Sequence, residues 1–415
     1  MLFVYRILIN LILLISPLII FFRILKKKED PKRFKEKFCY FSKKRIEGKL
    51  LWFHGASVGE ILSILPILEK LESDKRVKQI LITSNTVSSS RILLNFNLKK
   101  TIHQFFPIDT KSHTKIFLEY WKPSVAIFVD SEIWPNTLNN INQLNIPSIL
   151  LNARITKKTF KKWIKVDTFA KRLFKQFNLC LSSSEQSKKY LKLLGATNIK
   201  YIGNLKFSQN EIKKLSLSNN LKKRFKYKKI WCAASTHASE EQICAVVHKK
   251  LKKKYNNLLT IIIPRHIDRT KEIIEEIKKL NLKVQLHDTK KKIKNDTDIY
   301  LVNSYGETKD FFKICNVVFL GGSIIEHGGQ NPLEAVRYGC RTLHGPNIWN
   351  FKEIYALLHK YNFSTKIQNS SQLAYNVNKM IKNKTTTKSV ELRIKKLGNE
   401  ILTNTLKEIS PYIDR

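Results

Sequence analysis

Two carboxylates in the first half of the chain stand where a general base would be useful. Glu60 closes the run His54-Gly-Ala-Ser-Val-Gly-Glu60, and Glu132 lies in Asp130-Ser-Glu-Ile-Trp-Pro-Asn136. Each follows an apolar run that reads as a buried strand, Leu50-Leu-Trp-Phe53 and Val125-Ala-Ile-Phe-Val129. Ser57-x-x-Glu60 is also a formal capping box, in which the glutamate only ties down a helix start. Both roles stay open, because a helix N-terminus favours the ionised carboxylate and so keeps it ready to accept a proton. Trp134-Pro135 interrupts regular structure and would hold Glu132 in an irregular loop, where functional residues concentrate. Pattern alone ranks the two equally.

The second half puts polar groups at five strand ends. Ser235 and Thr236 close Lys229-Ile-Trp-Cys-Ala-Ala, and Arg265 and His266 follow Leu258–Pro264. Tyr305, Gly306 and Glu307 follow Ile299–Val302, Gly321 to Glu334 follows Asn316–Leu320, and Gly345 to Asn350 follows Leu343-His. Asn331-Pro-Leu-Glu334 reads as a helix start, with Asn at the cap and Pro at the first helical position. A glycine loop between a strand and a helix start exposes N–H groups to an anion, and Arg265 offers a planar fork for phosphate or carboxylate. One such loop is weak evidence. Five of them point to a nucleotide site at the carboxyl edge of a sheet.

The elements that must carry these residues alternate, with short apolar runs separated by polar, Lys-rich helical stretches. Gln79–Thr83 and Ser148–Leu151 add to the strands already named. This argues for a doubly wound α/β architecture with parallel sheets. The expected segments are a membrane anchor at 1–24, a basic juxtamembrane stretch at 25–48, and α/β domains at 49–207 and 208–395. A terminal helix at 396–415 follows, packing back on the first domain.

The chain has 415 residues, of which 76 are Lys or Arg and 33 Asp or Glu, for a net charge of +43. Such a balance suggests polyanionic partners, but a compositional bias towards Lys, Asn and Ile would produce much of it. The 43% hydrophobic content excludes a mostly disordered chain. Six cysteines without C-x-x-C spacing support neither zinc nor a disulfide framework, and Cys180, Cys232 and Cys315 read as small buried hydrophobes. Met1 to Phe22 is nearly all apolar and close to the roughly 20 residues that cross a bilayer core. Arg23, Lys26, Lys27, Lys28, Lys32, Arg33, Lys35 and Lys37 follow, which keeps the rest of the chain cytoplasmic by the positive-inside rule. No small-x-small cleavage site follows the apolar run, against a signal peptide. Arg6 and Pro17 leave a spanning pose and a pose within one leaflet both open.

Motifs in register over nearly the whole chain resemble the Kdo (3-deoxy-D-manno-octulosonic acid) transferases of Gram-negative bacteria. The matching runs are Trp-Phe-His-Gly-Ala-Ser-Val-Gly-Glu60, Ser-Glu-Ile-Trp-Pro-Asn136, Asn-Ala-Arg154, Gly-Asn-Leu-Lys-Phe207, Ala-Ala-Ser-Thr-His237, Pro-Arg-His266, Gly-Glu307, Gly-Gly-Ser323, His-Gly-Gly-Gln-Asn-Pro-Leu-Glu334, Gly-Pro346 and Asn-Phe351. The resemblance implies a GT-B fold, two Rossmann-like domains facing a cleft, and an inverting transfer from CMP-Kdo to the lipid A precursor, lipid IVA. It implies no metal and no other cofactor. It makes Glu60 the base and Glu132 a second essential acid. Arg265, His266, Tyr305, Gly306, Glu307, Asn331 and Glu334 become the CMP side, while Ser235, Thr236 and Lys206 are donor-side or interdomain. It also implies the cytoplasmic face of the inner membrane, and no nucleic-acid module is present. Tyr305 stands for the family's usual Met, Gln330 for a His, Asn347-Ile-Trp349 for His-Thr-Phe, and Asp130-Ser131 for Glu-Thr. Two other readings stay in view, a GT-B enzyme that uses a UDP-sugar and a membrane-tethered polyanion binder.

Overall fold

Apolar runs too short for helices become the central strands of two parallel sheets in a computed structural model, which describes residues 1–209, 223, 225–288, 291–382 and 387–414. The chain folds into two compact units, one of Met1–Asn210 with Leu397–Arg415 and another of Glu211–Lys396. Part of the polar passage from Ser208 to Lys229, where the sequence sets its boundary, lies outside the described residues.

The first unit holds β1 (Leu50–His54), β2 (Gln79–Ser84), β3 (Thr101–Phe105), β4 (Val125–Val129), β5 (Ser148–Ala153), β6 (Leu179–Ser182) and β7 (Ile199–Tyr201). They form a seven-stranded sheet in the order β3-β2-β1-β4-β5-β6-β7, the doubly wound order with one strand added. Every pairing is parallel, so all carboxyl ends lie along one edge. The chain reverses its winding between β1 and β4, the strands that end beside Glu60 and Glu132.

The second unit holds β8 (Lys229–Thr236), β9 (Leu258–Pro264), β10 (Val284–Leu286), β11 (Ile299–Leu301), β12 (Val317–Leu320), β13 (Arg341–His344) and β14 (Ser364–Lys366). Their order is β10-β11-β9-β8-β12-β13-β14, again all parallel. Side chains alternate between faces along a strand, and both faces are covered by helices, so every residue can be apolar. Trp231, Ala233 and Ile262 belong to one buried cluster, while Cys232, Ala234, Ile261 and Ile263 belong to another. Cys180, Cys232 and Cys315 are all buried, as their apolar neighbours suggested.

These two Rossmann-like units give the α/β architecture that the motifs implied. The last helix, Thr387–Asp414, joins the first unit from Leu397 on. There Lys49 Nζ donates to Ile413 O at 2.6 Å and Lys200 pairs with Glu408 at 2.6 Å. A Cβ on Gly398 would lie 2.4 Å from Phe207 O, so only glycine lets that helix approach so closely.

Candidate active site

In the first unit, β1 delivers His54 and the following helix Val58–Glu72 delivers Glu60, while the turn after β4 delivers Glu132. His54 is fully buried. Its Nδ1 lies 2.9 Å from Thr83 Oγ1, and that hydroxyl oxygen accepts from Trp52 Nε1 at 2.9 Å. Its Nε2 lies 3.2 Å from Glu132 Oε2. Trp134 Nε1 is 3.0 Å from both Glu132 Oε2 and His54 Nε2. We assign the imidazole proton to Nε2, which lets His54 and Trp134 both donate to the carboxylate and leaves Nδ1 to accept from Thr83. Glu132 is therefore held by two ring N–H groups rather than left loose in its loop.

The capping box at Glu60 is real: Ser57 Oγ accepts from Glu60 N, and Glu60 Oε2 accepts from Ser57 N at 3.3 Å and from Ala56 N at 2.6 Å. The helix start was expected to keep this carboxylate readily ionised. Burial, and then the charges of Glu132 and Asp130, outweigh those N–H bonds and push it up to about 7. The cap and the tuned acid are thus one group: the backbone fixes where it sits, and burial, with the neighbouring carboxylates, sets when it ionises.

Asp130 sits at left-handed φ (58°), as does Asn152 (54°) at an irregularity in the β5–β6 pairing. Asn152 Nδ2 donates to Asp130, and its Oδ1 accepts from Leu205 N at 2.9 Å. Lys206 Nζ lies 3.8 Å from Asp130 Oδ2, and Arg154 N donates to Asp130 O at 3.1 Å. Burial raises the Asp130 carboxyl, against the pull of Lys206, Asn152 and Arg154. Three motifs far apart in sequence, at 130, 152–154 and 204–206, meet here in the first unit. Lys206, grouped by resemblance with donor-side or interdomain residues, is a neighbour of Asp130.

In the second unit the five polar strand ends belong to β11, β9, β8, β12 and β13, consecutive neighbours in the sheet. At about 4.8 Å per strand they line roughly 19 Å of one edge. The loop after β12 differs from the sequence reading in one important way. The N–H groups of Gly322, Ser323 and Ile324 are already occupied, because they donate to the fully buried Glu240 at 2.7, 3.1 and 3.0 Å. His237 N adds a fourth bond at 3.1 Å. The loop does bind an anion, and that anion is a side chain of its own domain. Glycine is required at 321, where a Cβ would lie 2.4 Å from Ser235 O.

The helix start is also later than expected. The helix spans Leu333–Arg337, and Asn331 Oδ1 accepts from Leu333 N at 3.1 Å. Glu334 does not fold back as a cap but lies 3.3 Å from Lys309 Nζ. Glu307 accepts from Ser304 Oγ at 2.5 Å and lies 2.9 Å from His287 Nε2. Gly306 takes φ 90° with open space around it, and Tyr305, Arg265, His266 and Asn331 are exposed. Ser235 is half-buried at φ 55°, and Thr236 is fully buried. Unforeseen in the sequence is a group of histidines: the His237 ring lies 4.3 Å from His327 and 5.8 Å from His266. His237 Nδ1 faces Ser235 O at 3.1 Å, and burial followed by His327 lowers its pKa.

Residues 32–209 match the family model of 3-deoxy-D-manno-octulosonic-acid transferases. A 3-deoxy-D-manno-octulosonic acid transferase from Rickettsia bellii is 36% identical, covering 81% of this chain and 81% of its own. The chain belongs to the Kdo transferase family. A probable mitochondrial Kdo transferase from Arabidopsis thaliana is 32% identical over 89% of this chain and 86% of its own. Among solved structures, a UDP-GlcNAc 2-epimerase from Neisseria meningitidis superposes with a TM-score of 0.58 over 88% of this chain and 99% of its own. At 13% identity that likeness shows the shared GT-B fold alone. The chain is thus a glycosyltransferase, and Kdo transfer in lipopolysaccharide biosynthesis is its reaction.

Proposed function

We propose that this Kdo transferase is an inverting enzyme that moves Kdo from CMP-Kdo onto a hydroxyl of the lipid A precursor, lipid IVA. It would act on the cytoplasmic face of the inner membrane. The observation that supports this reading best is Glu60, a carboxylate held by backbone N–H groups and poised at about 7. A base with that pKa is about half ionised near neutral pH, where the fraction able to accept a proton and the driving force for taking it are balanced.

In the proposed step, Glu60 takes the proton of the acceptor hydroxyl as its oxygen attacks the anomeric carbon of Kdo. The bond to the CMP phosphate breaks on the opposite face and CMP leaves with the electron pair. Glu132, fixed by His54 and Trp134, orients the sugar. Arg265, together with His266, would meet the growing charge on the phosphate, with Glu307, Asn331 and Glu334 around the nucleoside. In this step these protein donors alone stabilise the leaving group, without a metal ion. A charged hydrogen bond of this kind is worth about 1.5–3 kcal/mol. That is roughly ten- to a hundredfold in rate if the bond forms only in the transition state.

Incubating the protein with CMP-Kdo and lipid IVA and weighing the product lipid tests the reading. One or more Kdo masses should be added, and Glu60→Gln should abolish the addition while leaving CMP affinity unchanged. Full transfer by that variant would reduce Glu60 to a helix cap. Thermal protection by UDP but not by CMP would instead favour a UDP-sugar donor.

A further inference from the structure

The helix Leu2–Leu25 is apolar enough to cross a membrane, and its 24 residues reach about 36 Å. Its surroundings point elsewhere. Tyr5, Ile9, Leu13, Ser16, Ile20 and Arg23 are all at least partly covered, while Phe3, Leu8, Leu14, Leu18, Phe21 and Leu25 are exposed. The covered positions recur at intervals of three and four, which is one face of a helix from its first turn to its last.

Polar contacts fasten both ends of that face. In the first turns Tyr5 Oη donates to Asp109 Oδ2 at 2.7 Å and Arg6 Nε donates to Asn136 Oδ1 at 2.9 Å. Asp109 is buried and also accepts from Asn136 N and Thr137 N, so Tyr5 joins a network that starts the helix Pro135–Gln143. In the last turn Arg23 pairs with Glu29 at 3.0 Å, and Glu29 holds Lys37 at 2.7 Å. Glu36 beside it accepts from Phe105 N of β3 at 2.7 Å. A bilayer crossing would carry Tyr5 and Arg6 about 30 Å from these partners and strip the covered face.

We propose that Leu2–Leu25 lies in the plane of the membrane, with one face bonded to the first unit and the other sunk in the acyl region of a single anionic leaflet. The exposed Lys26, Lys27, Lys28, Lys32 and Lys35 at its end fit anionic headgroups. Arg6 then couples the anchor to Asn136, in the first turn of the helix that follows the loop carrying Glu132, so a lipid acceptor is met at the leaflet in which it resides. This consequence rests on the membrane reading above.

The test uses the full-length protein carrying Cys39→Ser, since the other five thiols are buried. One variant bears a cysteine on a short Gly-Ser extension before Met1, and another bears Lys253→Cys on the exposed surface of the second unit. A membrane-impermeant maleimide is applied to bacterial spheroplasts and to inverted vesicles. Both cysteines should label from the same side, at least tenfold more in inverted vesicles. Labelling from opposite sides means the helix spans and overturns the proposal. Labelling of both from the outside leaves the in-plane helix standing and overturns only the cytoplasmic location.

Discussion

His54 Nε2 lies 3.2 Å from Glu132 Oε2, and the ring's other nitrogen is fixed by Thr83, which Trp52 fixes in turn. The buried chain Trp52–Thr83–His54–Glu132 therefore aims a carboxylate from inside the sheet. The motif that made Glu60 a candidate also contains the residue that orients the second acid.

Replacing His54 with Ala removes one of two donors to Glu132 and leaves the Thr83 hydroxyl short of a partner. Transfer should fall about ten- to a hundredfold in kcat, the value of one charged hydrogen bond. CMP binds the other unit in the proposed reading, so its Kd by calorimetry should not move. His54→Gln, which can still donate near Nε2, should recover part of the rate. Equal rates for the parent and His54→Ala would remove His54 from the machinery.

The pKa of Glu60 predicts opposite trends for activity and stability. As the proposed base it works when ionised, so kcat/KM should rise with pH and level off above about 7. Its folded pKa is raised above the ordinary carboxylate value of 4.5, so folding binds the proton more tightly. That stabilisation is complete below about 4.5 and is lost as pH rises through about 7. Glu60→Gln does not ionise, so its Tm relative to the parent should be higher at pH 8 than at pH 5. A Tm difference independent of pH would show that Glu60 is not perturbed.

Glu240 should matter as much as any ligand-facing residue in the second unit. Glutamine offers one acceptor oxygen where four backbone N–H groups converge on a carboxylate, so Glu240→Gln leaves buried donors unpaired. The expected loss is about 2–4 kcal/mol. This would lower the Tm of this unit by roughly 5–15 °C, and CMP affinity should weaken at least tenfold as the loop after β12 loosens. An unchanged melting curve together with unchanged CMP binding would make Glu240 a bystander.

What the sequence showed and hid follows from burial. The central strands of both sheets were legible because both faces are covered, which makes continuous apolar runs such as Leu258–Ile263. The strands β3, β10 and β14 went unseen, and all three lie at sheet edges. Edge residues such as Thr101, Gln285 and Lys366 need not be apolar. Glu240 carries no signal in the sequence, since three of its four main-chain partners lie some 80 residues away. His54 stood inside a recognised motif without a role, and only its depth at the end of β1 gives it one. The late start of the helix at Leu333 reflects an Asn331 side chain that bonds two residues ahead, a turn that mimics a cap in sequence.

Two glycines separate steric need from conformational need. At Gly345 a Cβ would lie 2.2 Å from Ser323 O and 2.5 Å from Ile324 N, backbone atoms that cannot yield without disturbing the bonds to Glu240. Gly345→Ala should therefore cost about 3 kcal/mol or more. It should lower Tm and CMP affinity together if the loop after β12 lies against the nucleotide as proposed. At Gly306 the space is open but φ is 90°, so Gly306→Ala carries only backbone strain of about 1–2 kcal/mol. That strain sits between Tyr305 and Glu307, so Gly306→Ala should shift nucleotide affinity while lowering Tm by only about 2–8 °C, less than Gly345→Ala. Melting curves and CMP titrations on the two variants decide the point. A Gly345→Ala protein as stable as the parent would mean that the loops after β12 and β13 are not braced against each other.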